Sequence, residues 1–160
     1  MSSDDIEQPA VIDLIVGARP NFVKIASIVH AWRPLAADGV RHRLIHTGQH
    51  FDANMSDVFF EQLDIPRPHH NLRIAGLSHG AMTGRMLEGI ETLIQQERPD
   101  WVLVYGDTNS TLAGALADAK LQVPVAHVEA GLRRAEFKAV AALMTPEGVF
   151  IGEGSCLGRI

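Results

Sequence analysis

Two spacings of apolar residues alternate along the chain. Four short, nearly unbroken apolar runs end at or near glycine: AVIDLIVG (Ala10 to Gly17), HRLIHTG (His42 to Gly48), WVLVYG (Trp101 to Gly106) and VPVAHVEAG (Val123 to Gly131). Runs of this kind predict strands buried on both faces, as in a parallel sheet. Between them the apolar positions recur at helical spacing. Phe22, Ile25, Val29, Trp32 and Leu35 share one helical face, and Met82, Met86, Ile90, Leu93 and Ile94 share another. Phe51 to Leu63 predicts a shorter helix, followed by the Pro- and His-rich loop IPRPHHN and a brief strand at Leu72 to Ile74. Leu112 to Leu121, rich in Ala and Leu, predicts a further helix.

Alternating strands and helices predict an α/β fold: a doubly wound, Rossmann-like parallel sheet with helices on both faces and right-handed crossovers. In such sheets ligands bind beyond the carboxyl ends of the strands. The strand-to-helix turns GARPNFVK, TGQHFD, GDTNST and HVEAGLRR are therefore where chemistry is expected, and all four are polar or charged. Ala135 to Ile160 has no clean period and carries four glycines in its last thirteen residues. The expected organisation is a disordered N-terminal tail over 1–9, a Rossmann-like domain over 10–134 and a divergent C-terminal tail over 135–160.

Composition narrows the class. With 160 residues, 46% hydrophobic and 21% charged, the chain has the size and balance of one ordinary globular domain. A net charge of -5 argues against nucleic-acid binding, which needs a basic face. The single cysteine, Cys156, cannot form an internal disulfide and suits a reducing compartment. MSSDDIEQPA lacks the basic and apolar regions of a signal peptide, and no apolar run approaches the roughly 20 residues of a membrane span. A cytoplasmic protein without membrane contact is expected.

In GARPNFVK, Pro20 suits the first turn of a helix, and Arg19 and Lys24 lie near its start. Cations there oppose the helix dipole unless an anion is bound. The alternatives are solvated surface charges, or an Arg19 paired with a local carboxylate. The glycines match neither the dinucleotide nor the P-loop fingerprint. In TGQHFD, Gln49 and His50 stand at the next strand exit. His50 suits a general acid or a sugar-hydroxyl contact, against a plain helix-starting loop capped by Asp52. Ser78 in SHG reads as an N-cap.

Asp107, Thr108, Asn109 and Ser110 can each cap the next helix, and only one cap is needed. Asp107 directly follows the glycine that ends the strand, so its carboxylate points into the ligand crevice or meets a neighbouring turn. His127 and Glu129 alternate with Val128 and project to the same side. Two carboxylates from adjacent strand ends, near Arg19 and Lys24, suit proton transfer beside a phosphate. A structural ion-pair network is an equal alternative. His69 and His70 have no Cys or carboxylate at metal-site spacing and read as surface residues; no metal is expected.

Taken together and in this order, GARPNFVK, TGQHFDANMSDVFF, SHGAMTGRMLEGIE, VYGDTNSTLAGALADAKL and PVAHVEAGLR resemble the N-terminal half of the non-hydrolysing UDP-N-acetylglucosamine 2-epimerases, from about Val11 to Arg133. The resemblance implies the N-terminal domain of a two-domain GT-B type fold with the active site between the domains. It implies interconversion of UDP-N-acetylglucosamine and UDP-N-acetylmannosamine, by elimination of UDP to a 2-acetamidoglucal and re-addition with C2 inverted, with no cofactor. It further implies that Arg19 and Lys24 face the diphosphate and that Asp107 and Glu129 handle the C2 proton. His127 and Arg133 would contact substrate, and Gln49 and His50 a second, regulatory substrate molecule. A homo-oligomer is implied for an intact relative. After Arg133 the likeness stops: TPEG at Thr145 to Gly148 only faintly matches the family's Pro-Glu-Glu segment, and the C-terminal domain has no counterpart. A truncated copy, inactive alone, is expected. The alternatives are a nucleotide-sugar binding module without turnover, or half of a GT-B glycosyltransferase. GDT and HVEAGLR in one chain favour the epimerase over the transferase, which fold alone would not do.

Overall fold

The strand-forming runs assemble into one seven-stranded sheet in a computed structural model, which describes residues 9–34, 39–49, 58, 60–128, 149–151 and 158–159. The strands are β1 (Ala10–Val16), β2 (Val40–His46), β3 (His70–Asn71), β4 (Trp101–Tyr105), β5 (Val125–Val128), β6 (Val149–Ile151) and β7 (Gly158–Arg159). Their spatial order is β3-β2-β1-β4-β5-β6-β7, all parallel except β7, which pairs antiparallel with β6. The helices are α1 (Arg19–Trp32), α2 (His79–Gln96) and α3 (Asn109–Lys120). Because β1 pairs with both β2 and β4, the winding direction reverses there, and the crevice of a doubly wound sheet opens beyond the ends of β1 and β4.

Side chains alternate across the central strands, so each run feeds two cores. Leu14, Val16, Leu44, Leu103 and Tyr105 pack with Phe22, Ile25 and Val29 of α1. Ile15, Ile45, Val102 and Val104 pack with Met86, Ile90 and Ile94 of α2 and with Ala113 and Ala117 of α3. Gly114 lets α3 lie close to the sheet: a Cβ there would stand 2.8 Å from Ile15 Cδ1.

The second core also holds charge. Asp13, fully buried on β1, accepts 2.6 and 2.7 Å hydrogen bonds from Arg43 on its register partner strand β2. Arg43 also reaches Glu97, by an ion pair of 2.6 Å and a bond to its carbonyl. Burial pushes the Asp13 carboxyl up, against the pull of the guanidinium. Asp118 of α3 is fully buried on the same side, and among the described residues neither of its carboxyl oxygens has a hydrogen-bond partner. Burial holds that carboxyl well above the usual carboxylate range, and the charge of Asp13 adds to the effect.

Several expectations shift. The brief strand lies at His70–Asn71 rather than Leu72 to Ile74, because the edge of β2 it pairs with ends at His46. Leu72 and Ile74 instead pack beside the second core, with their amides bonded to His46 O and Thr47 O. His69 is exposed, as expected of a surface residue, and its Nδ1 accepts from Leu44 N while its own amide donates to Leu44 O. Helix α3 starts at Asn109, three residues before the Ala-rich stretch. Of the predicted helix Phe51 to Leu63, the last turn over 60–62 is helical, and 51–57 lies outside the described residues. Residues 149–151 and 158–159 join the sheet although the sequence around them shows no period. Among the described residues, no helix is long and apolar enough to cross a membrane.

Candidate functional site

The turn leaving β4 is the centre of the crevice. Gly106 has φ +66°, a backbone region that favours glycine, and so ends the strand sharply. Thr108 then caps α3: its Oγ1 accepts from Thr111 N at 3.4 Å, its carbonyl from Leu112 N. With Thr108 as the cap, Asp107 is left over. Its side chain is exposed and makes no hydrogen bond or ion pair among the described residues.

The neighbouring elements hold this turn from both sides. Gly106 N donates to Val128 O, and Gly106 O accepts from His127 Nε2 at 2.7 Å. A carbonyl can only accept, so the Nε2 of His127 carries a proton. His127 is 3% exposed, behind the turn. Tyr105 O accepts from Asn21 Nδ2 of α1 at 3.3 Å and from Thr111 Oγ1 at 2.6 Å. On the far side of Asp107, Ser110 N and Oγ both donate to Gln49 Oε1, at 3.3 and 3.0 Å. Ser110 Oγ also bonds Thr47 Oγ1 at 2.7 Å. These two buried hydroxyls fill the space in front of Gly17, where a Cβ would meet Ser110 Oγ at 1.9 Å. Glycine is required there by close approach.

The helix starts are largely closed to anions. Asn21 Oδ1 accepts from Gly17 N and Ala18 N at the start of α1, and Gln49 and Thr108 occupy Ser110 N and Thr111 N at the start of α3. A helix start binds phosphate through free amides, and these four are taken. An anion in the crevice must therefore be met mainly by side chains. Arg19 opens α1, with Pro20 beside it in the first turn, and Lys24 lies half-buried in the second. His50, Glu129 and Arg133 lie outside the described residues. His79, at the start of α2, has Nδ1 within 3.1 Å of Asn109 Nδ2 and brings a third helix to the rim. Ser78 caps α2 as the sequence predicts, accepting from Ala81 N.

Asn21, Thr47 and Ser110 were missed as site residues. The only local signal was an Asn three residues after the turn alanine, at the position that can reach back to cap it. Among the described residues no three His, Cys, Asp or Glu side chains converge to hold a metal ion. A groove of about 820 Å³ at the opposite end of β2 carries Arg33, Arg41 and Arg43. Each is already paired with an acid, Asp64, Glu97 or Asp13, so the groove offers little spare positive charge.

A doubly wound sheet whose switch-point turn presents a carboxylate with no partner among the described residues defines a Rossmann-like half. The family model for UDP-N-acetylglucosamine 2-epimerase matches residues 33–141, and the chain belongs to that family. A UDP-2,3-diacetamido-2,3-dideoxy-D-glucuronate 2-epimerase of Pseudomonas aeruginosa is 59% identical over 119 residues, 74% of this chain and 33% of the relative. A UDP-N-acetylglucosamine 2-epimerase of Methanocaldococcus jannaschii is 47% identical over 122 residues, 76% of this chain and 32% of the relative. The crystal structure of the M. jannaschii UDP-GlcNAc 2-epimerase with UDP-GlcNAc and UDP superposes with a TM-score of 0.71 at 46% identity, covering 77% of this chain and 33% of that one. The Rickettsia bellii UDP-N-acetylglucosamine 2-epimerase gives 0.72 at 27% identity, covering 91% and 40%. The chain thus spans about a third of the length of these curated relatives. Those neighbours have the GT-B fold, and the sheet described here corresponds to one of its Rossmann-like halves.

Proposed function

We propose that the chain carries the N-terminal share of a UDP-sugar 2-epimerase site, with residues 10–134 as its Rossmann-like domain. The reaction removes the C2 proton as UDP leaves C1, giving a 2-acetamidoglucal. UDP then adds back and a proton returns to the opposite face of C2. Asp107 belongs to the group that moves this proton, together with Glu129. Arg19 and Lys24 face the diphosphate, where negative charge grows as the C1–O bond breaks. Arg133 contacts the substrate from the next turn, with His127 behind Asp107. The observation that carries the reading is the exposed Asp107 carboxylate, held at the switch point beside helix starts whose amides are filled. Family membership supports the reaction type.

The substrate is UDP-N-acetylglucosamine, as in most of the named relatives. A second reading, favoured by the 59% identity to the P. aeruginosa enzyme, is a UDP-2,3-diacetamido-glucuronate. The single cysteine supports a reducing, cytoplasmic setting, and the protein acts as a homo-oligomer. Proton NMR of each sugar nucleotide in D2O, with the purified chain supplied with the remaining C-terminal part of the M. jannaschii relative, is the test. Loss of the C2 proton signal, abolished in Asp107→Asn, is the expected result. Line broadening of the nucleotide without C2 exchange would instead make the chain a binding module without turnover. No effect on either sugar would overturn both.

A further inference from the structure

The carboxylate turn is tied to the turn after β2 by one side chain. Gln49 lies 61 residues from Ser110 in sequence, yet its Oε1 accepts from both the amide and the hydroxyl of Ser110. Ser110 is buried, its hydroxyl also bonded to Thr47, and Thr47 N donates to Val16 O of β1. Gly48, between Thr47 and Gln49, has φ +99° and no room for a side chain: a Cβ would stand 2.4 Å from Ile74 N. The backbone that aims Gln49 is therefore itself fixed. At the other end of the carboxylate turn, β5 holds both polar groups of Gly106. Asp107 sits between these two anchors, so its attitude to the crevice depends on both.

We infer that Gln49 is a positioning residue for Asp107, holding the first turn of α3 through Ser110. This rests on the proposed role of Asp107 as a proton-transfer group. It differs from the ligand contact that the sequence resemblance implies for Gln49, because the amide oxygen is already engaged inside the protein. Gln49 supplies an acceptor that the start of α3 otherwise lacks for Ser110 N–H, and its bond to the Ser110 hydroxyl orients that group. Without it, the Ser110 amide opens to water and the turn gains freedom at one end. A displacement of a proton-transfer group by a fraction of an ångström is costly in rate.

The test uses the 15N-labelled chain and amide hydrogen exchange followed by NMR. Gln49→Met keeps the length and much of the volume while removing the strong acceptor. Gln49→Glu restores an acceptor at the same reach. In Gln49→Met, Ser110 N–H is expected to exchange roughly tenfold faster and the signals of Asp107 to move. Thr111 N–H, capped by Thr108, keeps its rate. Gln49→Glu returns Ser110 to near wild-type protection. Unchanged Ser110 exchange in Gln49→Met, or no recovery in Gln49→Glu, overturns the inference. In the C2 deuterium assay Gln49→Met is expected to lower kcat with little change in KM. Lost protection with unaltered kcat also overturns the positioning role. If the wild-type chain exchanges no C2 proton, the proposed function fails, while the amide rates still decide whether Gln49 holds the turn.

Discussion

Removing the charge at Asp118 while keeping its shape should make the protein less sensitive to alkali. Asp118 is fully buried in α3, both its oxygens lack partners among the described residues, and the Asp13 carboxyl is near enough to disfavour a second negative charge. Its folded pKa is raised well above the ordinary 3.8. The folded state therefore binds this proton more tightly than the unfolded chain. Stability from this group is fully present below the unfolded pKa and is lost as pH rises towards the folded one. Within that window the slope reaches about 1.4 kcal/mol per pH unit. Each pH unit crossed inside it is thus a sizeable share of the 5–15 kcal/mol or so typical of a domain. Asn has the same outline and no charge, so Asp118→Asn lacks this slope, while its unpaired amide keeps a cost of about 1–3 kcal/mol. Urea unfolding of both proteins between about pH 5 and pH 8 measures the difference. The stability of Asp118→Asn relative to wild type should rise with pH, whatever other groups do, because those are common to both. Parallel curves across the range would refute the reasoning, and a relative loss at higher pH would reverse it.

Two further outcomes follow from the buried groups. Arg43→Met leaves Asp13 fully buried without its guanidinium and should cost about 3–5 kcal/mol; Asp13→Val added to it should recover much of that in thermal unfolding. His46, stacked on Phe22 and pushed by burial down to about 4, is neutral in the folded protein near neutrality. Its contribution is present above 6.5 and is lost as pH falls towards 4, by about 3 kcal/mol, so His46→Phe should flatten the acid limb of the unfolding profile.

The strands were legible because a parallel sheet buries both faces and leaves continuous apolar runs, as in β1, β2 and β4. The Asp13–Arg43 pair left a trace as well: opposite charges interrupt two otherwise apolar runs, though which strands are neighbours decides whether they meet. Asp107 stood out because it follows a strand-ending glycine with spare capping residues behind it. The clasp of Gln49 on Ser110 was not legible, since it depends on the conformation of a glycine turn and on strand order. Likewise Gly17 looks like any turn glycine until the Ser110 and Thr47 hydroxyls are seen in front of it. Asp118, in NSTLAGALADAK, reads as an ordinary helix carboxylate; only the packing of α3 against the sheet shows it to be buried.

The filled helix starts have an evolutionary consequence. A main-chain amide is the same in every amino acid but proline, so an anion held by a backbone nest cannot readily be exchanged for another ligand by mutation. Here Asn21, Gln49 and Thr108 close the amides of Gly17, Ala18, Ser110 and Thr111, so under the proposed function an anion is left to side chains, which a single codon can replace. Such a scaffold can drift between sugar nucleotides without rebuilding its backbone. Relatives named for two different UDP-sugars, both close to this chain in sequence, are what that freedom would leave behind.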